Sequence, residues 1–182
     1  MNIITQVGDA REFLKQGKII AYPTEAVYGL GCDPFNQQAV EAVLALKRRA
    51  KSKGLILLIA DWSQLTPLIA PISKALLEPV RETWPGPVTW VFPKADTIPV
   101  WLTGQHDSIA IRMSAHSIAH QLCVDGPVVS TSANINAQEP AIDLAGLRLQ
   151  FPQGIDAVLS GELGGLIQPS SIFDVRTGMR LR

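Results

Sequence analysis

The chain has 182 residues, of which 47% are hydrophobic and 18% are charged, and its formal net charge at pH 7 is zero. This composition excludes an intrinsically disordered chain, and the length fits one domain over residues 1–182 better than two. A neutral chain with a pI near 6.8 also differs from a general nucleic-acid coat protein, which carries a basic excess. Any anion site must therefore be local.

Hydrophobic periodicity and capping residues predict helices in five parts of the chain. They are residues 9–16 with Asp9 as cap, a helix that follows Asn36 and ends near Lys47, residues 61–83 with breaks near Pro67 and Pro71, a helix capped by Ser114, and a short helix capped by Asp143.

Apolar runs between these helices predict strands at 18–22, 54–60, 88–92, 108–113, 127–134, 156–161 and 171–175. Residues 23–33 are predicted to form a loop, because Pro23, Gly29 and Gly31 interrupt them. The interleaving of strands and helices predicts the α/β class. Connections such as 93–108 are too short for a crossover helix, so we expect a mixed parallel and antiparallel sheet. Strands without polar alternation indicate helices on both faces.

The cysteines and the apolar segments indicate the compartment. Cys32 and Cys123 form no CxxC pair and no disulfide framework, so we expect structural thiols in a reducing environment. The N-terminal residues lack the apolar stretch of a signal peptide. The longest apolar run, LILLIA at 55–60, is too short to span a bilayer. We therefore expect a cytoplasmic protein without membrane contact.

The segment KRRAKSK, residues 47–53, concentrates positive charge in this neutral chain. Lys47, Arg49, Lys51 and Lys53 recur at every second residue, a spacing that places them on one side of an extended segment but not of a helix. We therefore expect the chain to run extended after Lys47. Four like charges on one face favour a bound anion. A solvated loop that keeps an edge strand soluble remains the alternative.

Polar residues fall near the ends of the predicted strands, where ligands of α/β sheets gather. They are Thr24, Lys47, Arg49, Arg112, Ser130, Ser132, Asn134 and Ser171. Cations with hydroxyl donors suit a polyphosphate or a carboxylate, and the set contains no evident nucleophile–base pair. Neither GxxxxGK[ST] nor GxGxxG is present, so ATP would have to bind without either motif.

Other chemistries have weaker support. His116 and His120 have a zinc-binding spacing, but no third ligand is evident, so we expect a surface or half-buried helix face and predict no metal site. The absence of a GxSxG elbow disfavours a serine hydrolase. Glu25 is expected to orient a cation or a substrate amine, or to pair with a lysine.

Five segments in this order resemble the YrdC-like family, the threonylcarbamoyl-AMP synthases, in its short single-domain form. They are PTEAVYGLGCD, LKRR, IAIRM, VVSTSAN and PSSIFD, followed by a final LR. The resemblance implies a twisted mixed sheet around a basic concave cavity. It implies condensation of L-threonine, bicarbonate or carbon dioxide, and ATP with Mg²⁺ into threonylcarbamoyl-AMP and pyrophosphate. Other proteins would then transfer the threonylcarbamoyl group to adenosine 37 of tRNAs that read ANN codons.

The same resemblance implies roles for individual residues. Lys47 and Arg49 match the family's K-x-R pair, which binds ATP phosphates and carries the catalysis. The remaining matches are Ser132, Asn134 and Arg182 for ATP, and Thr24, Arg112, Ser130 and Ser171 for threonine. Two positions depart from the common pattern, because Ala26 replaces the second threonine of P-T-[DE]-T and Ser114 replaces the proline of R-x-P.

Two alternative functions remain open. A basic concave surface could contact tRNA or double-stranded RNA, as in a ribosome maturation factor, although the hydroxyl-rich STSAN and PSSI segments would then have no purpose. The carbamoyl-transfer module of hydrogenase maturation proteins is related, but it normally belongs to a much longer chain.

Overall fold

The computed structural model describes residues 1–168 and 170–182. Its strands are β1 (Asn2–Ile4), β2 (Ile20–Pro23), β3 (Tyr28–Gly31), β4 (Ile56–Ile59), β5 (Val88–Pro93), β6 (Ser108–Met113), β7 (Val128–Ser132), β8 (Ala157–Leu159) and β9 (Ser171–Asp174). Its helices are α1 (Val7–Lys15), α2 (Gln37–Leu46), α3 (Trp62–Leu65), α4 (Lys74–Thr83), α5 (Val100–Thr103), α6 (Ser117–Leu122) and α7 (Leu144–Gln150). Short 3₁₀ turns occupy Lys51–Lys53 and Thr66–Leu68.

The strands form one mixed sheet in the order β1-β8-β2-β3-β7-β4-β6-β5-β9. The neighbours β2 and β3, β3 and β7, β4 and β7, and β5 and β6 are antiparallel, and the other pairs are parallel. Strand β7 lies between β3 and β4: Ser130 lies opposite Ile56 of β4, and Ser132 lies opposite Gly29 of β3. The predicted mixed sheet is confirmed.

Both faces of the sheet are covered, as predicted. Leu57 and Ile59 of β4 belong to one core cluster, to which α2 and α5 also contribute. Leu58, between them, points into a second cluster with residues of α1 and α6. A third cluster packs α7 against β3. Apolar residues at successive positions are therefore buried on opposite faces.

Two of the predicted helix caps are confirmed and two are wrong. Asn36 Oδ1 accepts the Ala39 N–H at 3.1 Å, and Asp143 Oδ1 accepts the Gly146 N–H at 2.7 Å. Helix α1 begins at Val7, so Asp9 lies inside its first turn. Helix α6 begins only at Ser117, and the Ser114 hydroxyl instead donates to Glu25.

Three elements escape the sequence prediction. Strand β1 has three residues, and α5 is a single turn within the 93–108 connection. Strand β3 lies within the predicted loop 23–33. The sequence does not predict this strand, because two of its four residues are glycines, which are typical of loops. A Cβ on Gly31 would come within 2.8 Å of Tyr22 Cε1 and 3.0 Å of Val129 O, so Gly31 lets the Tyr22 ring pack against β3. Within the described residues, no helix is both long and apolar enough to cross a bilayer.

Candidate active site

A cavity of about 300 Å³ lies where the start of β3, the start of β4 and the end of β7 meet. Its walls come from residues 24–29, the start of β4, the end of β7 and the segment that precedes β9. The predicted site residues that line it are Thr24, Arg49, Arg112, Ser130, Ser132 and Arg182. Open α/β sheets place their ligands at the carboxyl ends of strands, as at the end of β7 here.

Three arginines from distant parts of the chain converge on this cavity: Arg49, Arg112 and Arg182. Burial lowers the pKa of Arg49, and the charge of Arg182 lowers it further. Burial also lowers the pKa of Arg182, and there the second cause is the charge of Arg112. Partly desolvated guanidinium groups that repel one another are stabilised by an anion between them, so the cavity is suited to an anionic ligand.

The end of helix α2 places Arg49. The Arg49 N–H bonds to Leu44 O at 2.9 Å and the Arg48 N–H bonds to Ala45 O at 3.0 Å, which is the Schellman arrangement. Arg48 takes the left-handed position with φ 51°. The chain reverses there, and the Arg49 guanidinium is held by a 3.0 Å bond from Nη2 to Gly54 O.

Arg112 is held by a buried acid. Its Nη1 lies 3.2 Å from Glu25 Oε2, and both side chains are 9% exposed. The other carboxylate oxygen, Oε1, accepts the Ser114 hydroxyl at 2.7 Å and the Ala115 N–H at 3.2 Å. Of the roles predicted for Glu25, the structure shows the one in which it orients a cation.

Hydroxyl groups also line the cavity. The Thr24 hydroxyl donates to Val27 O at 2.7 Å and closes the tight turn between β2 and β3. Ser130 Oγ accepts the buried Tyr22 hydroxyl at 2.8 Å, which leaves the Ser130 proton free to be donated elsewhere. Residues 164–166 lie across this turn through bonds from the Gly164 N–H to Thr24 O and from the Leu166 N–H to Glu25 O.

The remaining predicted residues lie elsewhere. Within the described chain, Lys47, Asn134 and Ser171 are not among the residues that line the cavity, and Ser170 lines it instead of Ser171. Ser170 accepts a 3.0 Å hydrogen bond from Arg182 Nη2 through its carbonyl oxygen. The PSSI segment indicates that a serine here belongs to the site, but the sequence does not show which of the two serines faces the cavity, because that depends on the strand register.

The extended basic face predicted for residues 47–53 is wrong. Residues Lys51–Lys53 form a 3₁₀ turn. Lys51 Nζ lies 2.9 Å from Glu41 Oε1 on helix α2, and the Lys53 side chain is exposed. Of the four alternating cations, Arg49 alone lines the cavity among the described residues. These side chains do not share one face, because the Schellman turn changes the chain direction after Lys47 and residues Lys51–Lys53 are not extended.

The other candidate groups have structural roles. His116 Nε2 lies 3.0 Å from Glu162 O. Across residues 1–168 and 170–182, no group of three or more His, Cys, Asp or Glu side chains is placed to hold a metal ion. Burial raises the pKa of Cys32 and of Cys123 to about 12 each, which keeps both thiols protonated. Tyr28 is buried in the third core cluster and also lines the cavity.

The fold and the site together define an α/β protein with a central cavity suited to an anionic ligand. The chain belongs to the Sua5/YciO/YrdC family, whose sequence model, described as telomere recombination, matches residues 12–182. This confirms the YrdC-like resemblance of the sequence.

Individual relatives agree with this assignment. The chain is 49% identical over 178 residues to a threonylcarbamoyl-AMP synthase of Coxiella burnetii, covering 97% of this chain and 96% of the relative. It is also 49% identical over 175 residues to a threonylcarbamoyl-AMP synthase of Methylococcus capsulatus, covering 95% and 94%.

Solved structures share the fold. The crystal structure of P. abyssi Sua5 complexed with L-threonine superposes with a TM-score of 0.89 at 29% identity. That match covers 98% of this chain and 55% of the Sua5 chain, so this chain spans about half of the longer protein. E. coli YciO superposes with a TM-score of 0.81 at 21% identity over 95% of this chain and 87% of the other, which supports the fold alone.

Proposed function

We propose that this protein is a threonylcarbamoyl-AMP synthase, which condenses L-threonine, bicarbonate or carbon dioxide, and ATP into threonylcarbamoyl-AMP and pyrophosphate. The observation that carries the proposal is the convergence of Arg49, Arg112 and Arg182 on one cavity lined by hydroxyl groups. The substrates bring a carboxylate and a triphosphate, and guanidinium groups bind both. The names of relatives at 49% identity support the same activity.

The three arginines divide between the two anionic substrates. Arg112 is fixed by Glu25 and lies in the same cavity as the Thr24 turn and Ser130, so this side takes threonine, with Arg112 on its carboxylate. The charge of Arg182 lowers the pKa of Arg49, and these two arginines take the phosphates. Ser132 contacts the nucleotide from the β7 side. Ser170 is better placed than Ser171 to contribute a hydroxyl.

The reaction requires positioning and charge neutralisation more than covalent participation of the protein. The threonine amine, after losing a proton, adds to carbon dioxide to give N-carboxythreonine. A carbamate oxygen then attacks the α-phosphorus of ATP, a bond between phosphorus and oxygen forms, and the bond to the β-phosphate breaks to release pyrophosphate. Arg49 and Arg182 stabilise the negative charge that develops on the phosphates.

Mg²⁺ enters this scheme as part of the substrate. Glu25, the carboxylate that lines the cavity in the described chain, is committed to Arg112 and Ser114, so the residues do not offer a carboxylate site for the metal. Mg²⁺ would arrive on the ATP phosphates, and we assign no step to it. The adenylate product is a mixed anhydride, so an acyl-transfer reaction must consume it. We infer that proteins which modify adenosine 37 of tRNA supply that reaction.

RNA binding is not favoured as the main function. The basic segment 47–53 does not present one continuous face, because Lys51 pairs with Glu41 while Arg49 turns into the cavity. A backbone-tracking surface needs several cations in a row.

The decisive assay measures pyrophosphate release from ATP and Mg²⁺, with L-threonine and bicarbonate added together or singly. Release that requires both supports the synthase. Release that ignores threonine, or no release from a folded sample, would overturn the proposal.

A further inference from the structure

Lys47 directs its ammonium group and its carbonyl oxygen at one segment that is distant in sequence. Its Nζ donates to Ser132 O, to Asn134 O at 2.8 Å and to Asn134 Oδ1 at 3.1 Å. Its own carbonyl oxygen accepts the Asn136 N–H at 2.9 Å. The residue is only 3% exposed. The side chain of Lys47 therefore donates hydrogen bonds to the segment 132–136, and its main-chain carbonyl accepts one from the same segment.

An ammonium group has three N–H donors, and the Lys47 ammonium has three oxygen acceptors within this segment. Turning Nζ toward a phosphate would break three part-buried hydrogen bonds. Ser132 O would keep the Asn134 N–H and Asn134 Oδ1 would keep the Ser132 hydroxyl, but Asn134 O would lose the donor it has here, at a cost of about 1–3 kcal/mol. The Lys47 ammonium therefore has an acceptor for each of its three N–H groups without any ligand.

Lys47 shares the support of this segment with other residues, since the Ala133 N–H bonds to Tyr28 O at 2.8 Å and the Ile135 N–H bonds to Gln150 Oε1 at 2.9 Å. The segment's first residue, Ser132, ends β7, and residues 133–136 have no regular secondary structure. Asn134 Oδ1 also accepts the Ser132 hydroxyl at 2.6 Å, and Asn134 Nδ2 donates to Gln138 O at 2.8 Å. Ser132 lines the cavity and Lys47 does not, so Lys47 supports the cavity wall at Ser132 without lining the cavity itself.

We propose that Lys47 is a positioning residue, which fixes residues 132–136 as a wall of the nucleotide site and does not contact the phosphates. The assignment of that wall to the nucleotide rests on the proposed function, whereas the support of the segment by Lys47 does not. Within the K-x-R pair, Arg49 then binds the ligand, and Lys47 holds the wall of the ligand site in place.

The first test needs no ligand. Lys47→Met keeps an unbranched side chain, one atom shorter, and removes the ammonium. Lys53→Met removes an exposed cation from the same basic segment and is the matched control. Hydrogen exchange followed by mass spectrometry should show faster exchange across residues 132–138 in Lys47→Met and no change in Lys53→Met. Unchanged exchange in Lys47→Met would overturn the proposal, whatever the protein binds.

The second test separates a support from a phosphate contact. Calorimetric titration of Lys47→Met should show ATP affinity reduced about tenfold, because the wall is lost. Affinity for pyrophosphate should fall less than about fivefold, because only a long-range charge is lost. The affinity for L-threonine should stay unchanged, which a general loss of structure would not allow. A loss of pyrophosphate affinity as large as that of Arg49→Met would overturn the proposal.

Wild-type protein that binds neither ATP nor pyrophosphate would refute the proposed function. The hydrogen-exchange result would then still test the support of the segment by Lys47.

A measurement on the wild type covers the case in which Lys47→Met does not fold. The ¹⁵Nζ resonance of Lys47 should show protons in slow exchange with water and should keep its position when pyrophosphate is added. Fast exchange, or a large shift on addition of pyrophosphate, would contradict the proposed role.

Discussion

Glu25 and Arg112 form a buried ion pair, with 3.2 Å between Oε2 and Nη1 and 9% exposure on each side. Such a pair brings little net stability, but removing one partner leaves an uncompensated buried charge. Its use here is geometric, because Ser114 and the Ala115 N–H fix the carboxylate that fixes the guanidinium. Ser114, which departs from the family's R-x-P pattern, is thereby part of the Arg112 support.

Ser114→Ala should therefore weaken threonine binding while pyrophosphate binding stays unchanged. The loss of a hydrogen bond to a buried carboxylate should also lower the free energy of unfolding by about 1.5–3 kcal/mol. Titration with each ligand and urea denaturation measure the two effects. The exposed Ser117→Ala is the control. Equal losses for both ligands would show that Ser114 does not act through Arg112.

Arg49→Met should reduce pyrophosphate affinity by about ten- to hundredfold, the value of a charge-assisted hydrogen bond. Lys53→Met removes a charge four positions away on an exposed side chain and should change the affinity little. Titration calorimetry compares the two variants. Similar losses in both would restore the basic segment as one continuous anion-binding face.

Arg48→Gly should raise the free energy of unfolding by about 0.5–1 kcal/mol, since Arg48 is exposed and holds a left-handed conformation with φ 51°. Arg48→Ala keeps the unfavourable backbone conformation and should not stabilise. Chemical denaturation of both variants distinguishes relief of strain from removal of charge, and equal stabilisation of the two would assign the effect to charge.

Gly31→Ala should destabilise the protein by about 1–3 kcal/mol, because the new Cβ would approach Tyr22 Cε1 to 2.8 Å and Val129 O to 3.0 Å. Gly8→Ala lies within helix α1, where a Cβ meets nothing within 4 Å, and should stabilise by up to about 1 kcal/mol. Urea denaturation midpoints should therefore move in opposite directions, and a neutral Gly31→Ala would show that β3 can shift away from Tyr22.

Lys47 should also give stability a dependence on pH. Burial, and then the charge of Arg49, lower the pKa of Lys47 from 10.5 to about 8. Between these values the unfolded chain binds more protons than the folded protein, so stability rises with pH. The free energy of unfolding of the wild type, relative to Lys47→Met, should increase as the pH is raised from about 8 toward 10.5. A constant or falling difference would mean that the three oxygen acceptors keep the ammonium protonated.

The local signals in the sequence predicted the elements that local interactions control. Asn36 and Asp143 cap helices because each side chain bonds to an N–H three residues ahead, and the apolar run of β4 is buried on both faces. Residue types likewise indicated an anion site, because a neutral chain with clustered cations and hydroxyl groups has few other uses for them.

Tertiary structure decided which of those polar residues meet. Lys47 and Arg49 are two positions apart, yet one supports the wall and the other faces the cavity, because a Schellman turn reverses the chain between them. Ser170 rather than Ser171 lines the cavity because side chains near β9 alternate in direction. The sequence shows the chemistry of each residue, but the direction in which a side chain points depends on turns and on strand pairings with distant parts of the chain.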